Sequence, residues 1–209
     1  GGGGAGASKA DDDANPSPVP ATEQDWAALA GVVGSDAAAR LRSGMTTELN
    51  LRGKKIGDTG VAVLVKVLPE CTALTSLELD ENEISDVGAM ALARVLPQCA
   101  ALSQLFLDSN QIEDSGVVAL ANVLSQCAAL SRLSLSSNQI GDAGAVALSD
   151  VLPQCAALSG LGLYNNRLGS SGNLRLSKMS HRCRNTNGET IYIDVKGNGG
   201  GEWAAFSRS

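Results

Sequence analysis

Hydrophobic positions recur along the chain with a period of 28 residues, as from Leu77 to Leu105. Three segments, 74–101, 102–129 and 130–157, align without a gap, and 47–73 and 158–183 match the same frame before the pattern decays. The leucines form two columns, which are Leu77, Leu105, Leu133 and Leu161, and Leu79, Leu107, Leu135 and Leu163. Repetition with a fixed period of this length is typical of solenoids and other repeat proteins. The secondary structure of one repeat therefore predicts the fold of the whole array.

Each unit combines the periodicity of a strand with that of a helix. Leu77 and Leu79 alternate with a period of two, which is typical of a half-exposed strand. Apolar residues then recur at spacings of three and four, which predicts an amphipathic helix. They are Val87, Met90, Ala91, Val95 and Leu96. Ser85 or Asp86 is the predicted N-cap, and Pro97 marks the predicted end. Because one unit cannot bury its own apolar face, the units are predicted to stack.

The shared motif is L-x-x-L-x-L-x-x-N-x-I/L, found in LTSLELDENEI, LSQLFLDSNQI, LSRLSLSSNQI and LSGLGLYNNRL. In this motif the chain resembles the leucine-rich-repeat family, over roughly residues 46–183. The length of the period, with a full helix in each unit, is similar to that of the ribonuclease-inhibitor-like subfamily. The resemblance implies an α/β leucine-rich-repeat solenoid, a right-handed βα horseshoe arc with a parallel sheet on its concave face and helices on its convex face.

The resemblance also implies a structural role for the asparagine of each motif. In the family this side chain hydrogen-bonds backbone groups of neighbouring turns. That role is implied here for Asn82, Asn110, Asn138 and Asn166. The first unit carries Lys54 at this position, which suits a terminal unit whose asparagine would lack one neighbour.

The two ends of the solenoid need covers, because the terminal leucines would otherwise face water. Thr22 and Asp25 have the spacing of a capping box, so a helix there is expected to place Trp26 on the first repeat. At the other end TIYIDV (190–195) alternates like a sixth strand, displaced by two residues from the frame. The predicted division is a disordered low-complexity segment (1–20), an N-terminal helical cap (21–45), five leucine-rich repeats (46–183), a C-terminal cap with the sixth strand (184–196), and a glycine linker with a tail (197–209).

Charge and hydropathy exclude two classes of partner. The formal net charge is −6 and the sequence pI is about 4.8. Residues 67–166 carry two basic residues against eleven acidic ones. Because nucleic-acid phosphates are bound by clustered Lys and Arg, no nucleic-acid partner is expected. No apolar run approaches the roughly 18 residues of a membrane helix, so no direct membrane span is expected either.

The five cysteines share one repeat position and the same period; they are Cys71, Cys99, Cys127, Cys155 and Cys183. Disulfides between neighbouring turns are conceivable, but no pairing uses all five, so buried free thiols are the preferred interpretation. Free thiols and the lack of a secretory apolar segment predict an intracellular, reducing compartment, the cytosol or an organelle interior, rather than secretion. The missing initial Met predicts a fragment or a processed product.

The sequence offers little to a catalytic, cofactor or metal site, and none is predicted. The single histidine, His181, lies where earlier units carry Pro97 or Pro153, which favours a capping role over a catalytic one. The acidic stretch DENEIS lacks the glycine that an EF-hand loop needs at its sixth position. There is no C-x-x-C and no phosphate-binding G-x-x-x-x-G-K-S/T motif. A basic run is interpreted as a solvated cap face, with docking of an anionic partner as the alternative; it comprises Arg175, Lys178, Arg182 and Arg184.

Residues that flank each L-x-L pair are predicted to point to the concave face, and they vary where the leucines do not. A constant core with a varied face is typical of a binding scaffold, although neutral drift of solvated positions is the alternative. Phe106 is the only aromatic residue of its column, and an aromatic side chain among charges is typical of an interface anchor. The predicted partner-binding residues are Glu78, Asp80, Phe106, Asp108, Arg132 and Tyr164.

The predicted function is a non-catalytic protein–protein interaction scaffold that binds a protein partner on its concave face. One alternative is an accessory subunit of a larger complex, docked through its ends and through a tail that carries Trp203 and Phe206. A second alternative, implied only by resemblance to the Ran GTPase-activating proteins, is a GTPase-activating regulator. The identity of the partner is left open.

Overall fold

The computed structural model describes residues 20–180 and 183–198. The helices are α1 (Glu23–Val33), α2 (Ser35–Arg42), α3 (Gly57–Val67), α4 (Asp86–Val95), α5 (Asp114–Leu124), α6 (Asp142–Val151) and α7 (Ser170–Met179). The strands are β1 (Glu48–Asn50), β2 (Ser76–Glu78), β3 (Gln104–Phe106), β4 (Arg132–Ser134), β5 (Gly160–Gly162) and β6 (Tyr192–Asp194). Most of the predicted disordered segment (1–19), His181, and the tail with Trp203 and Phe206 lie outside the described residues.

The strands form one open parallel sheet in the order β1-β2-β3-β4-β5-β6. Up to β5, each central leucine pairs with its equivalent in the next repeat, as Leu77 does with Leu105. Because every connection from strand to strand runs through a helix, the chain is an α/β leucine-rich-repeat solenoid, as predicted. Among the described residues, no helix is long and apolar enough to cross a bilayer.

The sixth strand exists, but its predicted displacement is wrong. Leu161 pairs with Ile193, whereas the frame of the repeats would pair it with Glu189, so the strand is displaced by four residues rather than two. The extra length is taken up by a turn after Cys183, in which Asn185 Oδ1 accepts hydrogen bonds from the backbone N–H groups of Asn187 (3.1 Å) and Glu189 (2.9 Å). This Asn185 turn returns the chain to the sheet edge.

The core lies between the sheet and the helices. The strand leucines and one face of each helix point into it, and Leu77, Leu105 and Leu133 are fully buried. In α4 the N-cap is Ser85, whose hydroxyl accepts from the backbone N–H of Val87, and not Asp86. Each buried leucine contributes about 1.5–3 kcal/mol relative to an exposed one, so the columns of the repeat account for the stability of the solenoid.

Both ends of the solenoid are covered. At the N-terminal end the Thr22–Asp25 capping box starts α1, which packs Trp26 (6% exposed) and Leu29 (0% exposed) into the core. At the C-terminal end the buried Ser180 hydroxyl donates to the carbonyl of Ile193 (3.3 Å) and accepts from its N–H (3.4 Å). An open strand edge can pair with a strand of another chain. Because Ser180 already bonds the N–H and the carbonyl of Ile193, it protects the edge at the centre of β6 from such pairing.

Candidate protein-binding face

The concave face consists of the residues on either side of each central leucine. Parallel pairing at equivalent positions arranges them in rows that cross the sheet. One row is Glu48, Ser76, Gln104, Arg132, Gly160 and Tyr192. The next row is Asn50, Glu78, Phe106, Ser134, Gly162 and Asp194. The face therefore changes from acidic at β1 and β2 to arginine, serine, glycine and tyrosine at β4 to β6, where Asp194 is the one carboxylate of these two rows.

The acidic end of the face is held by polar contacts between turns. Glu78 Oε2 accepts from the side-chain amide of Asn50 at 2.5 Å. In the loop beyond the strands, the Arg52 guanidinium pairs with Glu81 Oε1 at 2.6 Å. The carboxylate of Glu48 is exposed at the edge strand. Glu48 and Glu78 therefore present negative charge to solvent, whereas the charge of Glu81 is compensated.

Two of the predicted binding residues, Asp80 and Asp108, hold the backbone. Asp80 is only 8% exposed, and its Oδ1 accepts from the backbone N–H of Asp108 at 2.7 Å. Asp108 Oδ1 in turn accepts from the backbone N–H of Ser136 at 2.7 Å and from the Ser134 hydroxyl at 2.5 Å. Burial raises the pKa of Asp80 above its ordinary value of 3.8, although the Asp108 N–H opposes this shift. These carboxylates join neighbouring turns, and Asp80 offers little surface to a partner.

Phe106 lies at the centre of the face, between Glu78 on β2 and Ser134 on β4. It is half-buried rather than exposed, because the neighbouring strands stand close on both sides. It belongs neither to the buried core nor to the exposed large side chains. The ring is therefore partly accessible to a partner.

Tyr164 and Arg132 lie on the C-terminal half of the face. The Tyr164 ring, 49% exposed, lies close to Gly197, where a Cβ atom would stand 3.1 Å from its Cε2 atom. Gly197 has a φ of 70°, a conformation that also favours glycine. Arg132 is exposed on β4, and its side chain lies over the neighbouring Gly160.

The asparagine column forms a ladder that reaches toward the preceding turn. Asn110 Oδ1 accepts from the backbone N–H groups of Asn82 and Ile84, both at 3.0 Å. Its Nδ2 donates back to the carbonyl of Leu79 (3.0 Å) and to that of Leu107 in its own turn (3.0 Å). The other members of the column bond the preceding turn in the same way; they are Asn82, Asn138 and Asn166. Every amide of this column is buried.

The last member of the ladder, Asn198, is missing from the sequence prediction. Its Oδ1 accepts from the backbone N–H of Asn166 at 2.8 Å, and its Nδ2 donates to the carbonyl of Leu163 at 2.9 Å. Asn198 is 8% exposed, so the boundary that assigned residues 197 and 198 to a flexible linker is corrected. The signal is Ile193-x-Val195-x-x-Asn198, which repeats the L-x-L-x-x-N spacing once the larger displacement of β6 is known.

A second ladder, also missing from the sequence prediction, joins the helices. Asp114, at the start of α5, accepts at Oδ1 from the backbone N–H groups of Gly141 (2.7 Å) and Gly144 (2.9 Å) at the start of α6. Each such carboxylate therefore caps the helix that follows its own. A Cβ atom on Gly144 would lie 2.9 Å from Asp114 Oδ1, so glycine is required there. The signal is D-x-G at the repeat period, in Asp58, Asp86, Asp114 and Asp142.

All five cysteines are free. Four of the thiols lie near the carbonyl four residues before them, such as Cys127 Sγ at 3.4 Å from Val123 O. Burial raises the pKa of Cys99 to about 12, and neighbouring cysteines add to this shift. Because the thiolate is the reactive form, these side chains are suited to packing rather than to redox or metal chemistry. Within residues 20–180 and 183–198, no group of three His, Cys, Asp or Glu side chains is placed to hold a metal ion.

Comparisons with known proteins agree with this geometry. A family model described as Leucine Rich repeat matches residues 70–93, 99–121 and 126–149. The fold is similar to a solved structure named Leiomodin-1 Actin-Binding Site 2, with a TM-score of 0.60, 20% identity, and coverage of 69% of this chain and 85% of that chain. It is also similar to the tropomodulin C-terminal domain of Caenorhabditis elegans, with a TM-score of 0.58, 15% identity, and coverage of 72% and 89%. The sequence matches no curated protein.

Proposed function

We propose that this leucine-rich-repeat protein is a non-catalytic scaffold that binds a protein partner on its concave face. The repeats and their similarity to leiomodin and tropomodulin domains support a protein-interaction role. The length of the repeat, with a full helix per unit, supports membership of the ribonuclease-inhibitor-like subfamily.

The observation that carries the proposal is the contrast between a constant core and a varied concave face. Leu77, Leu105 and Leu133 repeat without change, whereas the flanking residues differ in charge, size and polarity from strand to strand. In the centre Phe106 stands between Glu78 and Ser134. A partly accessible aromatic ring with polar neighbours is suited to anchor a partner side chain. We propose Phe106 as the anchor, with Glu78, Asp108, Arg132 and Tyr164 around it.

Asp80 has a different place in the proposal. Because its carboxylate is buried and bonded to the backbone of Asp108, it stabilises the acidic end of the face and touches the partner little. Asp108 has both a structural and a binding role in the proposal. It accepts hydrogen bonds from Ser134 and Ser136, and it is half-buried, so part of it remains accessible to a partner. Neutral variants of either residue are expected to weaken the fold as well as binding.

The experiment is affinity capture from the native source, with the full chain as bait, followed by quantitative binding of each captured protein. Phe106→Ala is expected to weaken binding by about 2 kcal/mol or more, roughly thirtyfold. Val118→Ala is the matched control, because it removes an exposed apolar side chain (37% exposed) from the helical face. Binding that survives Phe106→Ala in a variant with a native melting curve contradicts the proposal.

Actin is the first defined partner to test, since the leiomodin-1 chain of similar fold is named as an actin-binding site. Co-sedimentation of the full chain with actin filaments, with and without Phe106→Ala, tests this directly. The accessory-subunit alternative predicts that loss of residues 199–209, and not Phe106→Ala, abolishes capture. The GTPase-activating alternative rests on family resemblance and predicts that the purified chain stimulates GTP turnover.

A further inference from the structure

Arg132 is the one basic residue within the six described strands, and it has no acidic partner in the described part of the chain. Arg52 pairs with Glu81, and Lys55 lies 3.7 Å from Glu83. Arg132 is exposed on β4 and makes no ion pair or hydrogen bond through its side chain with another described residue. A guanidinium has five N–H donors in a planar fork, which matches a carboxylate with two parallel hydrogen bonds. All of these donors are available to a partner.

Two strand positions without side chains lie beside this guanidinium. They are Gly160 and Gly162, the concave positions of β5. The Ser134 hydroxyl oxygen lies 2.6 Å from where a Cβ atom on Gly162 would stand, so the open space is at Gly160. A Cβ atom on Gly160 would lie 3.8 Å from Arg132 Cγ and 3.9 Å from its Nε, so the side chain of Arg132 lies along this floor. Adjacent strands are about 4.8 Å apart, so β4 and β6 bound a floor roughly 9.6 Å wide.

Two tyrosines border this glycine floor, and Asp194 on β6 pairs with Gly162 at one end of it. Tyr192 on β6 pairs with Gly160 in the sheet register and is 60% exposed. Tyr164 follows Gly162 along the chain at the next concave position and is 49% exposed. Because Gly160 has no side chain, a partner side chain can approach the backbone between the Arg132 guanidinium and the Tyr192 ring, and the guanidinium supplies hydrogen-bond donors to it.

The opposite end of the face has the complementary charge. Glu48 is exposed on β1, and its position is three strands from Arg132, a distance of about 14 Å at the spacing of a sheet. An extended chain advances about 3.3 Å per residue, so roughly four residues cover that distance. A segment that lies across the strands thus meets negative charge at one end and the free guanidinium at the other.

We propose that the concave face binds an extended segment of a partner protein that carries a carboxylate side chain about four residues from a basic side chain. The carboxylate pairs with Arg132 above Gly160, and the basic side chain lies against Glu48 and Glu78. This inference rests on the proposed function and specifies the chemistry of the partner segment. Charge complementarity at both ends fixes the direction in which the segment lies.

The test is selection of a displayed library of random twelve-residue peptides on the full chain, followed by affinity measurement with resynthesised peptides. Enriched peptides are expected to carry an acidic and a basic residue about four positions apart. Arg132→Gln is expected to weaken their binding at least tenfold. Gly160→Val fills the floor with a residue that strands favour, and it is expected to weaken binding to a similar extent. Arg94→Gln is the matched control, since Arg94 is exposed on a helix.

A charge swap separates direct pairing from an indirect effect. Arg132→Glu is expected to lose the selected peptides and to regain binding when the acidic residue of the peptide is changed to lysine. Peptides that tolerate Arg132→Gln but lose binding with Phe106→Ala overturn this inference and leave the proposed function standing. Peptides that tolerate both variants contradict both proposals, and a selection that enriches only uniformly acidic sequences, or none, overturns this inference.

Discussion

The buried amide of Asn110 provides the sharpest test of how the repeats are joined. Its Oδ1 accepts from the backbone N–H groups of Asn82 and Ile84, and its Nδ2 donates to the carbonyls of Leu79 and Leu107. Asn110→Ala removes the acceptor of both N–H groups without creating a new one. Since the amide is 8% exposed, solvent replaces these bonds poorly.

The magnitude follows from the number of groups left without a partner. Each unsatisfied buried polar group costs about 1–3 kcal/mol, so two N–H groups set a range of about 2–6 kcal/mol. A water molecule that enters the space of the amide recovers part of this loss, which places the expected destabilisation near about 3 kcal/mol. For a domain of this size, that corresponds to a fall in Tm of roughly 6–12 °C.

The assay is urea unfolding monitored by circular dichroism, with Asn122→Ala as the matched control. Asn122 lies in the same repeat but is exposed on α5, so its replacement is expected to change the free energy of unfolding by less than about 0.5 kcal/mol. Equal midpoints for Asn110→Ala and the wild type refute the reasoning, because the ladder then contributes nothing to stability. A lower slope in the variant indicates instead that the solenoid has divided into two cooperative units.

Three further predictions concern the helices, the cap and the thiols. Gly116→Ala is expected to destabilise the protein by about 2 kcal/mol, because the new Cβ atom would lie 2.6 Å from Asp86 Oδ1. Gly31→Ala is expected to stabilise it by about 0.5–1 kcal/mol, because no atom lies within 4 Å of the new Cβ atom. Equal shifts in the melting temperature of the two variants contradict this prediction. The Thr22 hydroxyl and N–H, with Lys66, lower the pKa of Asp25 from 3.8 to about 2, so its contribution is full above pH 4 and is lost as the pH falls toward 2. The stability difference between wild type and Asp25→Ala is therefore expected to be full at pH 7 and much smaller at pH 2; a constant difference contradicts it. At pH 8, iodoacetamide is expected to alkylate the native chain slowly and all five thiols after unfolding, counted by mass spectrometry without reductant, and fewer than five indicates disulfides.

The repeat was predictable from the sequence because one physical pattern is written several times. In a single repeat, the alternation around Leu77 and the helical spacing after it do not identify a fold. Because both patterns recur at a fixed period, they specify strands and helices that stack in parallel from repeat to repeat. The sixth strand departs from that period, so its existence was predictable and its register was not. Without the register, Asn198 looked like part of a glycine linker.

The use of the concave carboxylates was not predictable for a different reason. Alternation indicates that Asp80 and Asp108 point to the concave face, but not which backbone groups lie beside them. The backbone N–H of Asp108 comes within 2.7 Å of Asp80 Oδ1 only because adjacent turns stack closely at the strand ends. A charge that looked free for a partner is therefore committed to the neighbouring turn. Arg132 remains uncommitted because no acidic residue stands beside it in its row.

The two ladders have opposite directions, and this explains the residues found at the ends of the solenoid. Asparagine side chains bond the preceding turn, so the first turn has nothing for an asparagine to bond, and Lys54 stands there. Aspartate side chains cap the following helix, as Asp142 does for α7, whose own equivalent position carries Ser170. No helix follows α7 in the described part of the chain, so a carboxylate at that position would have no helix to cap. The strand ladder continues one turn further, to Asn198, because β6 still stacks on β5. The asparagine ladder thus ends at the turn that follows β6, and the aspartate ladder ends at Asp142, which caps the last described helix.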